Sequence, residues 1–261
     1  MRRVAFINEK GGTGKTTLAV NFAAYLARER GLKVLLMDLD TQGHAGKSLG
    51  LDVRALKPNA FHLLTDRAVK LAEVTHATAV ENLFVVPAHK EMSELPVVLA
   101  PDPKRARRLA NRLDADAGAY DVVVFDAPPS MGLTTHNVLV ASTDVVVPVA
   151  LTYLALDGCA EIVETVREVG AANGRPDLAV SRVVPTLYRK TALAEAILGK
   201  LAEYFPGLLT EPVGFNVKID EAQSHGQTIW EYAPQSKGAQ MLAQVAASLW
   251  DRTSSAGQAV A

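Results

Sequence analysis

Short runs of aliphatic and β-branched residues recur along the chain, and the longer stretches between them repeat apolar residues every three or four positions. A continuous apolar run of this kind is typical of a strand buried on both faces, and the wider spacing is typical of a helix packed on one side. The predicted strands are 4–8, 33–38, 83–87, 121–126, 144–151 and 178–186. The predicted helices are 15–30, 102–116, 133–141, 156–173, 191–204 and 236–251.

This alternation of strand and helix predicts an α/β fold with a mainly parallel β-sheet and helices on both faces. Right-handed crossovers bring the C-terminal ends of parallel strands to one edge, where open α/β sheets bind their ligands. No internal repeat and no linker divides the sequence. We therefore predict a single domain over 1–252 and a flexible C-terminal tail over 253–261, which is small and polar in composition.

Composition and charge narrow the class of protein. The 261 residues are 49% hydrophobic and 21% charged, with a formal net charge of -1, so the whole molecule has no strong attraction to nucleic acid or anionic lipid. A single cysteine, Cys159, excludes an internal disulfide and a cluster of thiolate metal ligands within one chain. The apolar run 145–151 is far shorter than the roughly 20 residues of a membrane-spanning helix. Without an apolar signal region near the start, we expect a cytoplasmic protein.

A glycine-rich loop follows the first predicted strand and opens the first helix. The loop consists of Lys10, Gly11, Gly12, Thr13, Gly14, Lys15, Thr16 and Thr17. In this arrangement, backbone N–H groups surround phosphate oxygens at the positive end of a helix. Lys15 is predicted to neutralise the β- and γ-phosphates, Thr16 to ligate Mg²⁺ and Thr17 to contact the α-phosphate. The loop therefore predicts a P-loop NTPase that uses ATP and Mg²⁺; a glycine turn without a ligand is the alternative.

Three aspartates follow predicted strands at the same edge of the sheet. Asp126 ends the strand over 121–126, where a carboxylate of a P-loop enzyme holds Mg²⁺. Asp38 and Asp40 end the second strand, and alternation points both side chains toward the nucleotide. We predict Asp38, Asp126 and Thr16 as the metal site. Asp40 is predicted to polarise the attacking water, with a turn-forming aspartate as the alternative.

Four stretches of the sequence resemble the ParA family of partition ATPases, within the wider ParA/MinD group. They are 10–17, 34–43, 121–130 and, near the C-terminus, 221–229 with 232–239. The first is a deviant Walker A loop, because Glu9 replaces the usual glycine and Lys10 adds a second lysine inside the loop. The likeness covers nearly the whole chain and is closest to the short Soj-like members, which lack an N-terminal helix-turn-helix domain.

The resemblance implies roles for individual residues. Lys10 matches the signature lysine, which crosses a nucleotide sandwich dimer to touch the phosphates of the partner chain. Asp40 matches the catalytic switch position and Asp126 the Walker B position. Asn216 matches the asparagine that contacts adenine. The family relation thus implies a homodimer in the ATP-bound state, with catalytic roles for Lys10, Lys15 and Asp40.

By the same resemblance, the chain is an ATP-dependent dimerisation switch that drives chromosome or plasmid segregation through non-specific DNA binding. Intrinsic ATP hydrolysis is expected to be slow, because such switches position the attacking water fully only when a partner arrives. That partner is a ParB-like protein or another cargo adaptor, which stimulates hydrolysis. The expected location is the bacterial cytoplasm, in association with the nucleoid and without a membrane partner.

The sequence departs from the family on the side that commonly binds DNA. Gly214-Phe215-Asn216 replaces the usual Pro-Arg-Asn, and Gln223 and Gln227 replace a proline and a lysine, so two positive charges are lost. Four basic residues remain as predicted contacts to DNA phosphates. They are Arg189, Lys190, Lys218 and Lys237. A merely solvated basic surface is the alternative.

Other functions share parts of this pattern. An orphan ParA-like ATPase would position another cargo, such as a chemosensory array or a protein organelle, with the same switch. A MinD-like ATPase needs a basic amphipathic C-terminal helix, and 241–250 has an apolar stripe with almost no basic residue. A nitrogenase-type iron protein needs more than one cysteine. A P-loop ligase such as dethiobiotin synthetase would not need Lys10.

The basic run 104–108 is predicted to be either a solvated face or a partner-docking surface.

Overall fold

The computed structural model describes residues 1–152 and 157–253, and within them one sheet contains seven strands. The strands are β1 Arg2–Phe6, β2 Val34–Asp38, β3 His76–Ala77, β4 Leu83–Val86, β5 Val122–Asp126, β6 Asp144–Ala150 and β7 Val180–Thr186. Their order across the sheet is β3-β4-β2-β5-β1-β6-β7. Neighbouring strands run parallel except β3 and β4, which form a short antiparallel pair at one edge. The predicted α/β fold with a mainly parallel sheet is confirmed.

Helices connect the strands and cover both faces of the sheet. The described helices are α1 Lys15–Arg30, α2 His44–Lys47, α3 Ala60–Thr65, α4 Leu71–Val74, α5 Leu95–Val98, α6 Arg108–Asp116, α7 Leu133–Ala141, α8 Asp157–Ala172, α9 Ala192–Tyr204, α10 Val217–Ser224, α11 Ile229–Tyr232 and α12 Lys237–Thr253. Across the described residues, no helix combines the length and the apolar character needed to cross a bilayer.

Alternation along the buried strands divides the core into two apolar layers, one on each face of the sheet. In β2, Leu35 and Met37 pack in the layer that includes α6, α7 and α8. Val34 and Leu36 pack in the opposite layer, with α1 and α12. All four side chains are fully buried. Because such a strand buries both faces, its sequence is a continuous apolar run.

The C-terminal ends of β1, β5 and β2 lie level with one another. Phe6 is paired with Asp126, and Asp126 is paired with Asp38 on the other side. The loop after β1 therefore leaves the sheet beside two aspartates at the ends of neighbouring strands. Gly14, the residue before α1, has a left-handed φ of 85°, a conformation that glycine adopts without steric cost. This edge of the sheet holds the candidate site.

The predicted long helices agree with the structure to within two residues, with one exception. The predicted helix 102–116 becomes α-helical only at Arg108, after a 3-10 turn over Arg105–Arg107. Pro103 disfavours a helical conformation in the residue before it, Asp102. The Asp102 carboxylate also accepts the backbone N–H of the second residue after it at 2.8 Å, which stabilises a turn instead.

The ends of the chain and the short elements differ more from the predictions. β1 begins two residues earlier than predicted, because Arg2 and Arg3 pair with β5. The sequence pattern does not predict β3, α2 to α5, α10 or α11, since such short runs hold too few apolar positions to define a period. Thr253 ends α12, and the remainder of the predicted tail lies outside the described residues. A single domain over 1–252 stays a prediction.

We predict that Phe125→Ala lowers the free energy of unfolding by about 3–5 kcal/mol, because it leaves a cavity in a strand whose two neighbours are themselves buried. Phe125 is fully buried in β5, between β1 and β2. Urea denaturation followed by circular dichroism measures the change. Val97→Ala is the control, since Val97 is 77% exposed and its loss should cost less than about 0.5 kcal/mol. Equal stabilities of the two variants would contradict this account of the core.

Candidate functional site

The loop between β1 and α1 is anchored to the sheet on both sides. The Asn8 side chain donates to the Pro148 carbonyl at 2.7 Å, which ties the start of the loop to β6. The Thr186 hydroxyl donates to the Thr13 carbonyl at 2.8 Å, which ties the middle of the loop to β7. Gly12 and Gly14 have φ angles of 71° and 85°, where a side chain would be strained. The backbone thus approaches the strand ends closely enough to receive a phosphate chain.

Lys15 is held inside this loop. Its ammonium group donates to the Lys10 carbonyl at 3.0 Å, and the residue is only 7% exposed. Burial lowers the pKa of Lys15, and the nearby carboxylates of Asp126 and Asp40 oppose that shift. The result is a cation aimed into the loop, where an anion would stabilise its charge.

Asp126 and Thr16 meet at the start of α1. The Thr16 hydroxyl donates to Asp126 Oδ2 at 2.7 Å. The other oxygen, Oδ1, is buried and has no hydrogen-bond partner among the described residues. Burial, and then the charge of Asp38, raises the pKa of Asp126 well above its ordinary value. An unsatisfied buried carboxylate oxygen beside a hydroxyl fits Mg²⁺, which prefers oxygen ligands and takes few of them from protein.

No group of three or more His, Cys, Asp or Glu within 1–152 and 157–253 is arranged to hold a metal by itself. In a Mg²⁺ site of the P-loop kind, phosphate oxygens and waters complete the shell around few protein ligands. Among the three predicted metal residues, Thr16 and Asp126 are in direct contact, and their role as ligands stays a prediction.

Asp38 is fully buried, and its oxygens are occupied by backbone N–H groups. Oδ1 accepts from Asp40 at 3.1 Å, and Oδ2 accepts from Ala45 at 2.9 Å and Gly46 at 3.2 Å. Burial raises the pKa of Asp38 to about 7. The carboxylate thereby fixes the loop after β2 and the first turn of α2. Its part in metal binding stays a prediction.

Strand alternation predicts that Asp38 and Asp40 face the same space, and the structure differs. β2 ends at Asp38, so the chain has already turned when it reaches Asp40. Asp40 alone of the two lines the pocket over the loop, and its Oδ1 accepts the Gln42 backbone N–H at 3.1 Å. Asp40 therefore both stabilises the turn and lies at the candidate site.

A cavity of about 590 Å³ lies over the loop and is called the P-loop pocket here. Its lining residues are Gly11, Gly12, Thr13, Gly14, Lys15, Thr16, Thr17, Asp40, Gln42, His44, Lys47, Ser48, Pro129, Gln223 and Ser224. The sequence analysis does not predict the side chains that α2 and α10 bring to this cavity. No sequence signal marks Lys47, because its position depends on how Asp38 holds α2.

Two loops that border the P-loop pocket touch each other through their backbones. A Cβ atom on Gly226 would lie 2.7 Å from Gly50 Cα, and both glycines have left-handed φ angles. Next to this contact, the Gln223 side chain donates to the Thr17 hydroxyl at 3.0 Å. The segment after α2 and the segment after α10 are thus packed together beside the pocket.

Lys10 lies at the start of the loop, beside α8. Its backbone N–H donates to Asn8 Oδ1 at 2.9 Å. A Cβ atom added to Gly158 would lie 3.5 Å from Lys10 Cε, so the Lys10 side chain runs along the beginning of α8. Lys10 does not line the P-loop pocket of its own chain, as far as the described residues define that pocket.

A small cavity of about 60 Å³ adjoins the P-loop pocket and is called the base pocket here. It shares Gly14 and Thr17 with the larger cavity, and Phe215, Asn216 and Ile219 form part of its wall. Asn216 is the N-cap of α10, and its Oδ1 accepts the Lys218 backbone N–H at 3.0 Å. The structure therefore places the predicted adenine contact next to the phosphate loop.

The four predicted DNA contacts lie around the same segment, and they are called the basic side here. These residues are Arg189, Lys190, Lys218 and Lys237. The Arg189 guanidinium lies 4.8 Å from the centre of the Phe215 ring, and Lys218 forms an ion pair with Glu221 at 2.7 Å. Lys237 precedes Gly238, which packs against Asn216.

The basic run 104–108 is largely used within the protein. Arg105 donates to the Ala100 carbonyl and Arg107 to the Asn173 carbonyl. Arg108 pairs with Asp102. These bonds favour a structural role for the run over a partner-docking surface.

Comparison with known proteins gives similarities to one family, to two Soj proteins and to a solved structure. A family described as an AAA domain matches residues 1–180. The chain is 39% identical over 258 residues to the chromosome-partitioning ATPase Soj of Thermus thermophilus, covering 98% of each chain. It is 38% identical over 245 residues to the sporulation initiation inhibitor protein Soj of Bacillus subtilis, covering 93% of this chain and 96% of that protein.

A solved structure of cobyrinic acid a,c-diamide synthase from Mycobacterium smegmatis, with a bound ATP analogue and magnesium, matches at 30% identity with a TM-score of 0.85. The match covers 99% of this chain and 97% of that one. The fold is thus that of P-loop NTPases, and the identity to the Soj proteins extends over nearly the full length. The chain belongs to the ParA family, among its Soj-like members.

Proposed function

We propose that the chain is a Mg²⁺-dependent partition ATPase whose ATP-bound form is a dimer that binds DNA. One observation carries the proposal: Thr16, which lines the P-loop pocket, donates to Asp126, and the other buried oxygen of Asp126 has no partner among the described residues. The Soj relative named as a chromosome-partitioning ATPase and the neighbour structure with an ATP analogue and magnesium support it.

The nucleotide phosphates lie along 11–17, where the amides of the loop and Lys15 neutralise them. Thr16 and Asp126 hold Mg²⁺, with Asp38 supporting the site from behind. When bound, Mg²⁺ supplies neutralisation of the charge that builds up on phosphate oxygens during cleavage. The adenine base enters the base pocket beside Asn216.

Asp40 orients the attacking water. It lies on the lining of the P-loop pocket, in a loop that its own carboxylate stabilises. Gly11 and Gly12 are exposed, so the pocket of one chain is open to solvent. Because an open site holds a water loosely, intrinsic hydrolysis is slow, and an adaptor protein accelerates it.

Lys10 acts across the dimer. In one chain its side chain runs along α8 and not into the P-loop pocket. When two chains meet face to face, Lys10 reaches the phosphates of the partner chain, so ATP joins the two protomers. Hydrolysis removes the γ-phosphate that both chains bind, and the dimer separates.

DNA binds along the basic side. Phosphate contacts of this kind carry no sequence information, which suits non-specific binding. The basic side includes α10, whose first turn also borders the base pocket. Nucleotide binding and DNA binding thus share one helix, and dimerisation doubles the number of basic groups that face the DNA.

Lys15→Ala is expected to weaken ATP binding by at least about 100-fold, because it removes the buried cation that pairs with the phosphates. Isothermal calorimetry with ATP and Mg²⁺ measures the affinity, and circular dichroism checks that the variant is folded. Lys200→Ala is the matched control, since Lys200 is exposed on α9. Undiminished affinity in Lys15→Ala would remove the basis of the proposed nucleotide site.

Lys10→Ala and Asp40→Ala should have opposite effects on the dimer. The first should bind ATP as a monomer, because the contact across the dimer is lost. The second should accumulate as an ATP-bound dimer, because the attacking water is no longer oriented. Sedimentation velocity with ATP and Mg²⁺ distinguishes the two states. Normal dimerisation of Lys10→Ala would disprove the sandwich arrangement.

The double variant Arg189→Ala/Lys218→Ala should lower the affinity of the ATP-bound form for duplex DNA at every sequence. It should also reduce the slope of log affinity against log salt by about 2 per protomer, one for each lost phosphate contact. Fluorescence anisotropy over a salt series measures both quantities. If the wild type binds no DNA even at low salt, a non-DNA cargo replaces the DNA part of the proposal.

A further inference from the structure

A second cavity, of about 780 Å³, lies next to the P-loop pocket. We call it the switch groove and define it by Gln42, Lys47, Arg54, Lys57, His89 and Lys90. Gln42 and Lys47 line the P-loop pocket as well, so the two cavities share a wall. The groove is formed by the loop after β2, the segment after α2 and the residues after β4.

The switch groove has a strong excess of positive charge. Among the described lining residues, four are Lys or Arg and Glu91 is the one acid. Glu91 Oε1 is paired with Lys57 at 2.6 Å, and Oε2 lies 3.2 Å from His89 Nδ1. The hydrogen bond from Lys57 lowers the pKa of Glu91, so this carboxylate is ionised and neutralises one cation. The charges of Lys47, Arg54 and Lys90 remain.

All three of these cations are exposed, and two of them make no side-chain bond in the described parts of the chain. Arg54 and Lys90 are solvent-exposed, and within the described parts of the chain neither side chain forms an ion pair or a hydrogen bond. The nearest acid in sequence, Asp52, accepts the backbone N–H of Arg54 and not its guanidinium. An anionic ligand could therefore pair with both cations without breaking an existing bond.

The groove is a concave site whose accessible lining is polar and cationic, because its two apolar lining residues, Val53 and Ala88, are only 4% and 0% exposed. A concave site with a cationic rim fits an extended peptide, whose acidic side chains place their carboxylates on the rim. A DNA duplex is a broad convex surface that meets protruding basic groups, and it would not enter such a groove.

Lys47 connects the groove to the loop that carries Asp40. Its ammonium group donates to the Gln42 carbonyl at 2.6 Å, and the Gln42 backbone N–H donates to Asp40 Oδ1 at 3.1 Å. A carboxylate that paired with Lys47 would break its hydrogen bond to the Gln42 carbonyl. The loop that positions Asp40 would then be held differently. Only this effect on hydrolysis rests on the proposed function; binding in the groove does not.

We propose that the switch groove binds an acidic segment of a partner protein, next to the site of hydrolysis. Such a segment lies in the groove with its carboxylates on Arg54, Lys90 and Lys47. The groove is then a docking surface separate from the basic side. Through Lys47, its occupant alters the position of Asp40.

Fluorescence anisotropy of a labelled hexaglutamate peptide tests the docking in the absence of nucleotide, so that the result is independent of ATPase activity. At low salt the wild type should bind the peptide, and affinity should fall as ionic strength rises. Arg54→Ala/Lys90→Ala should weaken binding at least about fivefold. Arg54→Glu/Lys90→Glu should abolish it. Arg167→Ala/Lys200→Ala is the matched control on α8 and α9, at the opposite edge of the sheet, and should bind as the wild type does.

Absence of binding by the wild type would overturn the proposal. So would an equal loss in the Arg167→Ala/Lys200→Ala control, which would indicate unspecific charge attraction. A loss of DNA affinity in the groove variants, with peptide binding unchanged, would assign the groove to DNA instead. If the peptide binds the groove but ATP is not hydrolysed, the docking site stands and the proposed function fails.

Discussion

Two carboxylates, Asp38 and Asp126, lie opposite each other at the ends of adjacent strands, and both are fully buried. Burial raises the pKa of both carboxyl groups, and the charge of Asp38 raises that of Asp126 further, so each carboxylate must be stabilised by donors. The Thr16 hydroxyl and the Lys15 cation serve Asp126, and backbone N–H groups of the loop after β2 serve Asp38. These donors hold the phosphate loop and α2 in place beside the two carboxylates, and the rest of the site is arranged around them.

The two aspartates have different roles in the site. One oxygen of Asp126 has no partner within 1–152 and 157–253, which leaves it able to bind a cation. Asp38 uses its oxygens on backbone N–H groups, which makes it a support for α2 and for the turn that begins at Asp40. Through α2, this support reaches Lys47, which borders both the P-loop pocket and the switch groove.

Much of the fold and the centre of the site could be predicted from local sequence. Helix α1 agrees with its prediction at both ends, because glycines stand on each side of a long helical pattern. The meeting of Thr16 and Asp126 follows from the rule that parallel strand ends converge. The orientation of Asp38 could not be predicted, since it depends on where β2 stops. The switch groove could not be predicted either, because it joins residues from three separate segments.

The contact between Gly50 and Gly226 has a consequence for how the two segments beside the P-loop pocket can move. Because main chain rests on main chain there, no side-chain rotation at these two positions can relieve the contact. The segment after α2 and the segment after α10 should therefore shift together as one body. Since α10 also borders the base pocket, a displacement on the α2 side is transmitted to the wall of that pocket.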